Sequence, residues 1–105
     1  MKRSVLRFAA EHDIDSAFSH YVHDASKIVA SRFIESVDNA INHIQHHPAS
    51  GSARFGVLLN SPDLRSWILT GFPYTLFYIE RENHVDIIRL LHQHADIPVL
   101  LQDAI

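Results

Sequence analysis

Through most of its first half the chain spaces its apolar residues at a helical period, and past a punctuated middle it spaces them at an extended one. Helices grouped before strands point to an α+β fold, with the helices packed together against one sheet. Ile14, Ala17, Phe18, Tyr21, Val22 and Ala25 follow the i, i+3, i+4, i+7, i+8, i+11 spacing of a single helical face. Asp13 is placed to cap that helix, with Asp15 in its first turn. Ala30, Phe33, Val37, Ala40, Ile41 and Ile44 mark a second helix. Ser26 is its expected cap, His46 and His47 its end, and Pro48 its stop. The connection between the two, His23 to Ser26, is short, so they should form an antiparallel hairpin.

All three glycines lie between Gly51 and Gly71, and Pro48 and Pro62 fall in or just before the same window. Extended segments surround the helical part. SVLRFAA reads as an opening strand, and LRSWILTG, FPYTLFYIERE and VDIIRLLHQH as three later ones. Glu82, Asn83 and His84 form a compact turn between the last two, which implies a hairpin. The expected architecture is β-α-α-β-β-β, one domain over residues 1–105 with an apolar tail over 97–105. The helical hairpin would lie on one face of a small, mostly antiparallel sheet. Both parities of the late strands are apolar. Phe72, Tyr74, Leu76 and Tyr78 alternate with Phe77 and Ile79, and Val85, Ile87 and Leu91 with Ile88 and Leu90. A sheet covered on one side would therefore leave its other face apolar, which marks a partner surface unless the tail folds back over it.

Composition narrows the chemistry. There is no cysteine, so disulfides, thiolate metal sites and a cysteine nucleophile are excluded. The first residues are too polar for a signal peptide, and no apolar run approaches the roughly 18 residues of a membrane span. A cytoplasmic protein is expected. Nine Lys and Arg against twelve Asp and Glu give a formal net charge of -3, without the basic excess by which proteins grip nucleic acid. Nine histidines stand out. His92 and His94 share a strand face, and His43, His46 and His47 share a helix face. However, no carboxylate–histidine motif of metalloenzyme type accompanies them, and no metal or cofactor is expected.

Several stretches, in this order, resemble the RelE/ParE superfamily of bacterial type II toxins, and the ParE branch most. The segment SKIVASRFIESVDNAINHIQHHP is similar to that family's second helix, with Arg32–Phe33 and the terminal His47–Pro48, and Gly51 follows. Leu64–Arg65 resembles the family's "LR" at the start of a central strand. Tyr74–Thr75–Leu76–Phe77–Tyr78 resembles its "YxIFY" strand, and VDIIRLLH its penultimate strand ending in His. Where the family commonly continues from that His as x-x-Arg-Asp, this chain has Gln93, His94, Ala95 and Asp96, keeping the Asp and lacking the Arg. The resemblance implies a growth-inhibiting toxin, neutralised by a cognate ParD-like antitoxin with which it forms a hetero-oligomer. ParE-like members act on DNA gyrase and block replication, whereas RelE-like members cleave mRNA on the ribosome. A remnant that only binds antitoxin is a third reading.

RNA cleavage without a metal needs a base, an acid and cations for the phosphate. The available candidates are Arg65, Arg89, His92 and His94, with Arg65, Arg89 and His92 as the expected set, since neither Lys2 nor Lys27 lies in the sheet. The acidic balance and the missing Arg at Ala95 favour a non-enzymatic inhibitor of gyrase instead, with no specific nucleic-acid or membrane partner. Arg65, Trp67, Arg89 and His92 are the expected target-binding residues, because Arg and Trp typify binding hot spots. Tyr74, Tyr78, Val99, Leu100 and Leu101 are the expected antitoxin-binding residues.

Overall fold

A computed structural model describes all 105 residues. The chain opens with β1 (Arg3–Leu6), runs through a hairpin of α1 (Phe8–Asp24) and α2 (Lys27–His46), and then makes a 3₁₀ turn over Pro48–Ser50. A short helix, α3 (Arg54–Leu58), leads into β2 (Leu64–Ile68), β3 (Tyr74–Glu80) and β4 (His84–His92), and α4 (Ile97–Gln102) ends the fold. The expected β-α-α-β-β-β order is present, with α3 and α4 added. The four strands form one sheet in the order β1-β4-β3-β2. β1 pairs parallel with β4, while β2–β3 and β3–β4 are antiparallel.

The helix boundaries follow local chemistry with one correction. Ser26 caps α2 as expected, its hydroxyl accepting the Val29 N–H at 3.1 Å. At the far end the His47 N–H donates to the His43 carbonyl at 2.8 Å, and Pro48 begins the 3₁₀ turn. Asp13, in contrast, does not cap α1. The helix starts five residues earlier, at Phe8, straight off β1 and with no side-chain cap. The Arg7 N–H is still bonded to Ile87 O at 2.9 Å, so β1 delivers the chain directly into the helix.

The hairpin buries Ala10 and Ala17 from α1, and Ala30, Phe33, Val37, Ala40 and Ile44 from α2. All of these except Ala30 meet Leu76, Tyr78, Val85, Ile87 and Leu90 on the sheet and make the larger core cluster. Large apolar side chains fully buried here contribute about 1.5–3 kcal/mol each. Phe33, Tyr21, Phe72 and Tyr74 close one end of this cluster with ring centroids 5.2–5.5 Å apart from neighbour to neighbour.

Strict alternation along β4 fails at one place. Phe77 pairs with Arg89 but Tyr78 with Ile87, so Ile88 has no opposite residue and β4 bulges there. The bulge resets the parity. Val85, Ile87 and Leu90 face the helices, and Ile88 and Leu91 the other side, so the expected places of Leu90 and Leu91 are exchanged. The second face does not stay bare. Leu64, Phe77, Ile79, Ile88 and Leu91 are covered by Ile97 and Leu101 of α4 and by Phe55 and Leu59 at α3. The chain's own short helices thus cover much of the face on which a partner was expected.

Candidate functional site

The expected site residues separate into two groups with β3 between them. The first lies on β2, an edge strand. Arg65 and Trp67 project to the helix side of the sheet, as their spacing required. The Arg65 guanidinium donates to the Gly51 carbonyl at 2.9 Å. Opposite Arg65 on β3, the Tyr78 hydroxyl donates to Pro48 O at 2.7 Å and accepts the Gly51 N–H at 3.0 Å. Burial pushes the Tyr78 phenol above its ordinary value, and the Gly51 and Arg65 contacts offset part of that rise. A Cβ at Gly51 would collide with the Tyr78 hydroxyl and the Ser66 carbonyl, so only glycine fits where the turn crosses the strand. Trp67 is half-buried, its indole stacked on the His43 imidazole at 4.2 Å and 24°.

Around this edge opens a cleft of about 650 Å³. Ser66 and Thr75 form its polar floor, each 7% exposed. Arg54, Phe55 and Ile97 stand on one side of it, with Trp67 and Ile68 along the strand. Ile68 is 71% exposed, and the Arg54 guanidinium sits 5.2 Å above the Phe55 ring. No feature of the sequence pattern singled out Arg54. It is recruited by α3, whose five residues are too few to show a period.

The second group lies at the far end of β4. Arg89 is held by Asp13 of α1 through two bonds, at 2.7 and 2.9 Å, and Asp13 also accepts the Leu90 N–H at 3.0 Å. The Asp13 hydrogen bonds raise the Arg89 pKa against the opposing effect of burial. The helix-capping role expected of Asp13 is replaced by this one: its carboxylate ties α1 to the bulged strand. His92 lies edge-on to Tyr74 at 5.1 Å and stacks on His94 at 5.3 Å. The His92 Nδ1 accepts the His94 N–H at 3.0 Å, so its neutral ring carries the proton on Nε2. Arg65, Arg89 and His92 therefore do not converge. One guanidinium is committed to Gly51, the other to Asp13, and the imidazole closes a turn.

Two expected antitoxin-binding residues are corrected by their position. Tyr78 and Leu101 are each 0% exposed and have no surface to offer. Leu101 stands one helical turn after Ile97 on the inner face of α4, while Val99 and Leu100 are 59% and 37% exposed on its outer face. Tyr74 is half-buried in the aromatic cluster. The helix-end histidines also find local partners. His46 Nδ1 donates to Asn42 O at 2.8 Å, and His43 Nε2 meets the Ser50 hydroxyl at 3.0 Å.

A model of the ParE toxin of type II toxin–antitoxin systems, parDE, matches residues 5–97. The chain belongs to the ParE toxin family. Among solved structures, the chromosomal ParDE toxin–antitoxin system from P. aeruginosa shares the fold at a TM-score of 0.72. The two chains are 17% identical, and the alignment covers 88% of this chain and 96% of that one. No curated protein sequence matches this one. In this ParE-family chain the segments that carry the resemblance fall on α2, β2, β3 and β4 in the expected order. Ala95, which stands where the family pattern has Arg, packs against the second core cluster. No helix of the toxin is long and apolar enough to cross a membrane.

Proposed function

We propose that this ParE-family chain stops growth by binding DNA gyrase without catalysing a reaction, and that a ParD-like antitoxin neutralises it. The observation that carries this reading is the dispersal of Arg65, Arg89 and His92. Phosphoryl chemistry on RNA requires such groups to converge on one phosphate, with cations free to meet it. Here Arg89 is held in a bidentate pair with Asp13, Arg65 donates one bond to the Gly51 carbonyl, and β3 separates the two. The net charge of -3 also runs against a nucleic-acid substrate.

A binding surface needs anchors rather than convergence. The β2 edge supplies them: Trp67 on its His43 platform with Arg65 two residues before it on the same face, and Ile68 exposed beside a cleft with room for a partner's side chain. His92 is a second contact, and Arg89 serves to hold α1. The antitoxin takes Val99 and Leu100 on α4, with Tyr74 at its margin.

The test is gyrase supercoiling and cleavage-complex formation with the toxin freed of antitoxin, repeated with Arg65→Ala and Trp67→Ala. Inhibition or stabilised DNA breaks, relieved by either substitution in a folded protein, is the expected result. A chain that arrests growth yet leaves gyrase untouched at excess would overturn the proposal, and ribosome-dependent mRNA cleavage would then be the assay to run. A chain that does neither would be a remnant.

A further inference from the structure

A second concavity lies on the helix side, between α1 and α2 where they pass β1, with a volume of about 460 Å³. Its floor is aliphatic. Ile14, Ile34 and Ile41 are only partly buried against the larger core cluster and present their remaining surface to the cleft. Its rim carries Glu11, Asp15 and Asp38, all exposed, and no Lys or Arg lines it. None of these three carboxylates enters a salt bridge.

The spacing of these carboxylates makes the arrangement costly to the free protein. Glu11 and Asp15 are four residues apart on α1, where like charges repel, and α1 contains no Lys or Arg at all. The candidate gyrase site at the β2 edge has the opposite character: Arg54 and no carboxylate line its cleft, and Arg65 lies on the adjoining strand.

We propose that this cleft docks a segment of a partner protein that presents aliphatic side chains flanked by Lys or Arg. Apolar contact with the three isoleucines supplies the affinity, and the acidic rim supplies register and on-rate. The same rim repels phosphate, so nucleic acid and anionic lipid are poor occupants. A second copy of this chain is disfavoured by geometry. Its own exposed basic and apolar residues, Lys27, Ile28 and Arg32 on α2 and Arg54, Val57 and Leu58 on α3, lie outside the cleft lining. Such a contact would join unlike patches and propagate rather than close. The proposal is independent of which macromolecule the toxin inhibits.

The experiment uses the full chain with a short amphipathic peptide of Leu and Lys, fluorescently labelled, against a matched peptide of Leu and Glu. Binding is followed by anisotropy and mapped by isoleucine methyl resonances. The expected result is binding of the Lys peptide alone, with shifts at Ile14, Ile34 and Ile41. The double variant Asp15→Asn/Asp38→Asn, on the exposed surface and so harmless to folding, should weaken it about tenfold. Equal binding of both peptides, shifts confined to other isoleucines, or an unaltered double variant would each overturn the proposal. Sedimentation showing self-association through the same three isoleucines, with no peptide present, would replace it with a second copy as the occupant.

Discussion

At the scale of single residues, charged side chains set inside apolar strands are the most informative. Asp86 lies in VDIIRLL, and a carboxylate on a core strand has to be paired. Arg7 binds it at 2.9 and 3.1 Å and Arg81 at 3.0 and 3.2 Å, while Arg7 also reaches the Ala104 carbonyl at 2.6 Å. Burial pushes the Asp86 carboxyl up, but the bonds from the two arginines outweigh it and hold the carboxyl below its ordinary value. A lowered folded pKa contributes stability that is present above the unfolded value, near 3.9, and lost as pH falls through the folded one. Urea midpoints should therefore show Asp86→Asn well below the wild type at pH 7 and closer to it at pH 3. An equal gap at both would mean that the charge does not matter. Asp13 makes a related prediction. Asp13→Ala strands both the Arg89 guanidinium and the Leu90 N–H, and should cost about 2–3 kcal/mol in equilibrium unfolding. Asp13→Asn should cost less, because it can still accept the Leu90 bond. The pairings themselves were not legible in the sequence: Asp13 and Arg89 lie 76 positions apart and Arg7 and Asp86 lie 79 apart.

At the scale of elements, the long amphipathic helices were readable because a dozen or more residues repeat the same face. Their buried residues are largely those that the period named, and Ser26 and Pro48 bound α2 as expected. Phe18 departs, at 38% exposed, because it falls at the margin of the α1 face. The short helices were not readable. α3 has five residues and α4 six, each less than two turns, and their apolar runs suit strand, helix or tail alike. Nor does any local signal announce the β4 bulge, which forms where Ile88 and Arg89 together oppose Phe77 and lets Arg89 reach α1. The importance of α4 is testable. Leu101→Asp places a charge against Leu64, Phe77 and Ile88, and should release α4 and expose the second face. Strong binding of a hydrophobic dye with retained α1–α2 helicity is the expected outcome, and an inert response would show that α4 contributes little cover.

At the scale of the whole molecule, charge is unevenly divided over the surface. The helix side carries the acidic cleft, and the β2 edge carries Arg54, Arg65 and the Trp67 platform. With a net charge of -3 the free toxin should not retard duplex DNA in a gel-shift experiment, even at low salt. Clear retardation there would point to direct action on nucleic acid and against inhibition by protein contact. The sequence by itself determined the class of fold, the helical hairpin, the order of the strands and the doubly apolar character of β3 and β4. These are written in periods and caps that each segment carries locally. Only the tertiary structure decided what covers the second face, which partners Arg65, Arg89 and Asp13 would take, and that Tyr78 and Leu101 lie inside while Val99 and Leu100 lie outside. Those outcomes depend on where the sheet brings distant residues together, and on a one-residue bulge that reverses every parity after it.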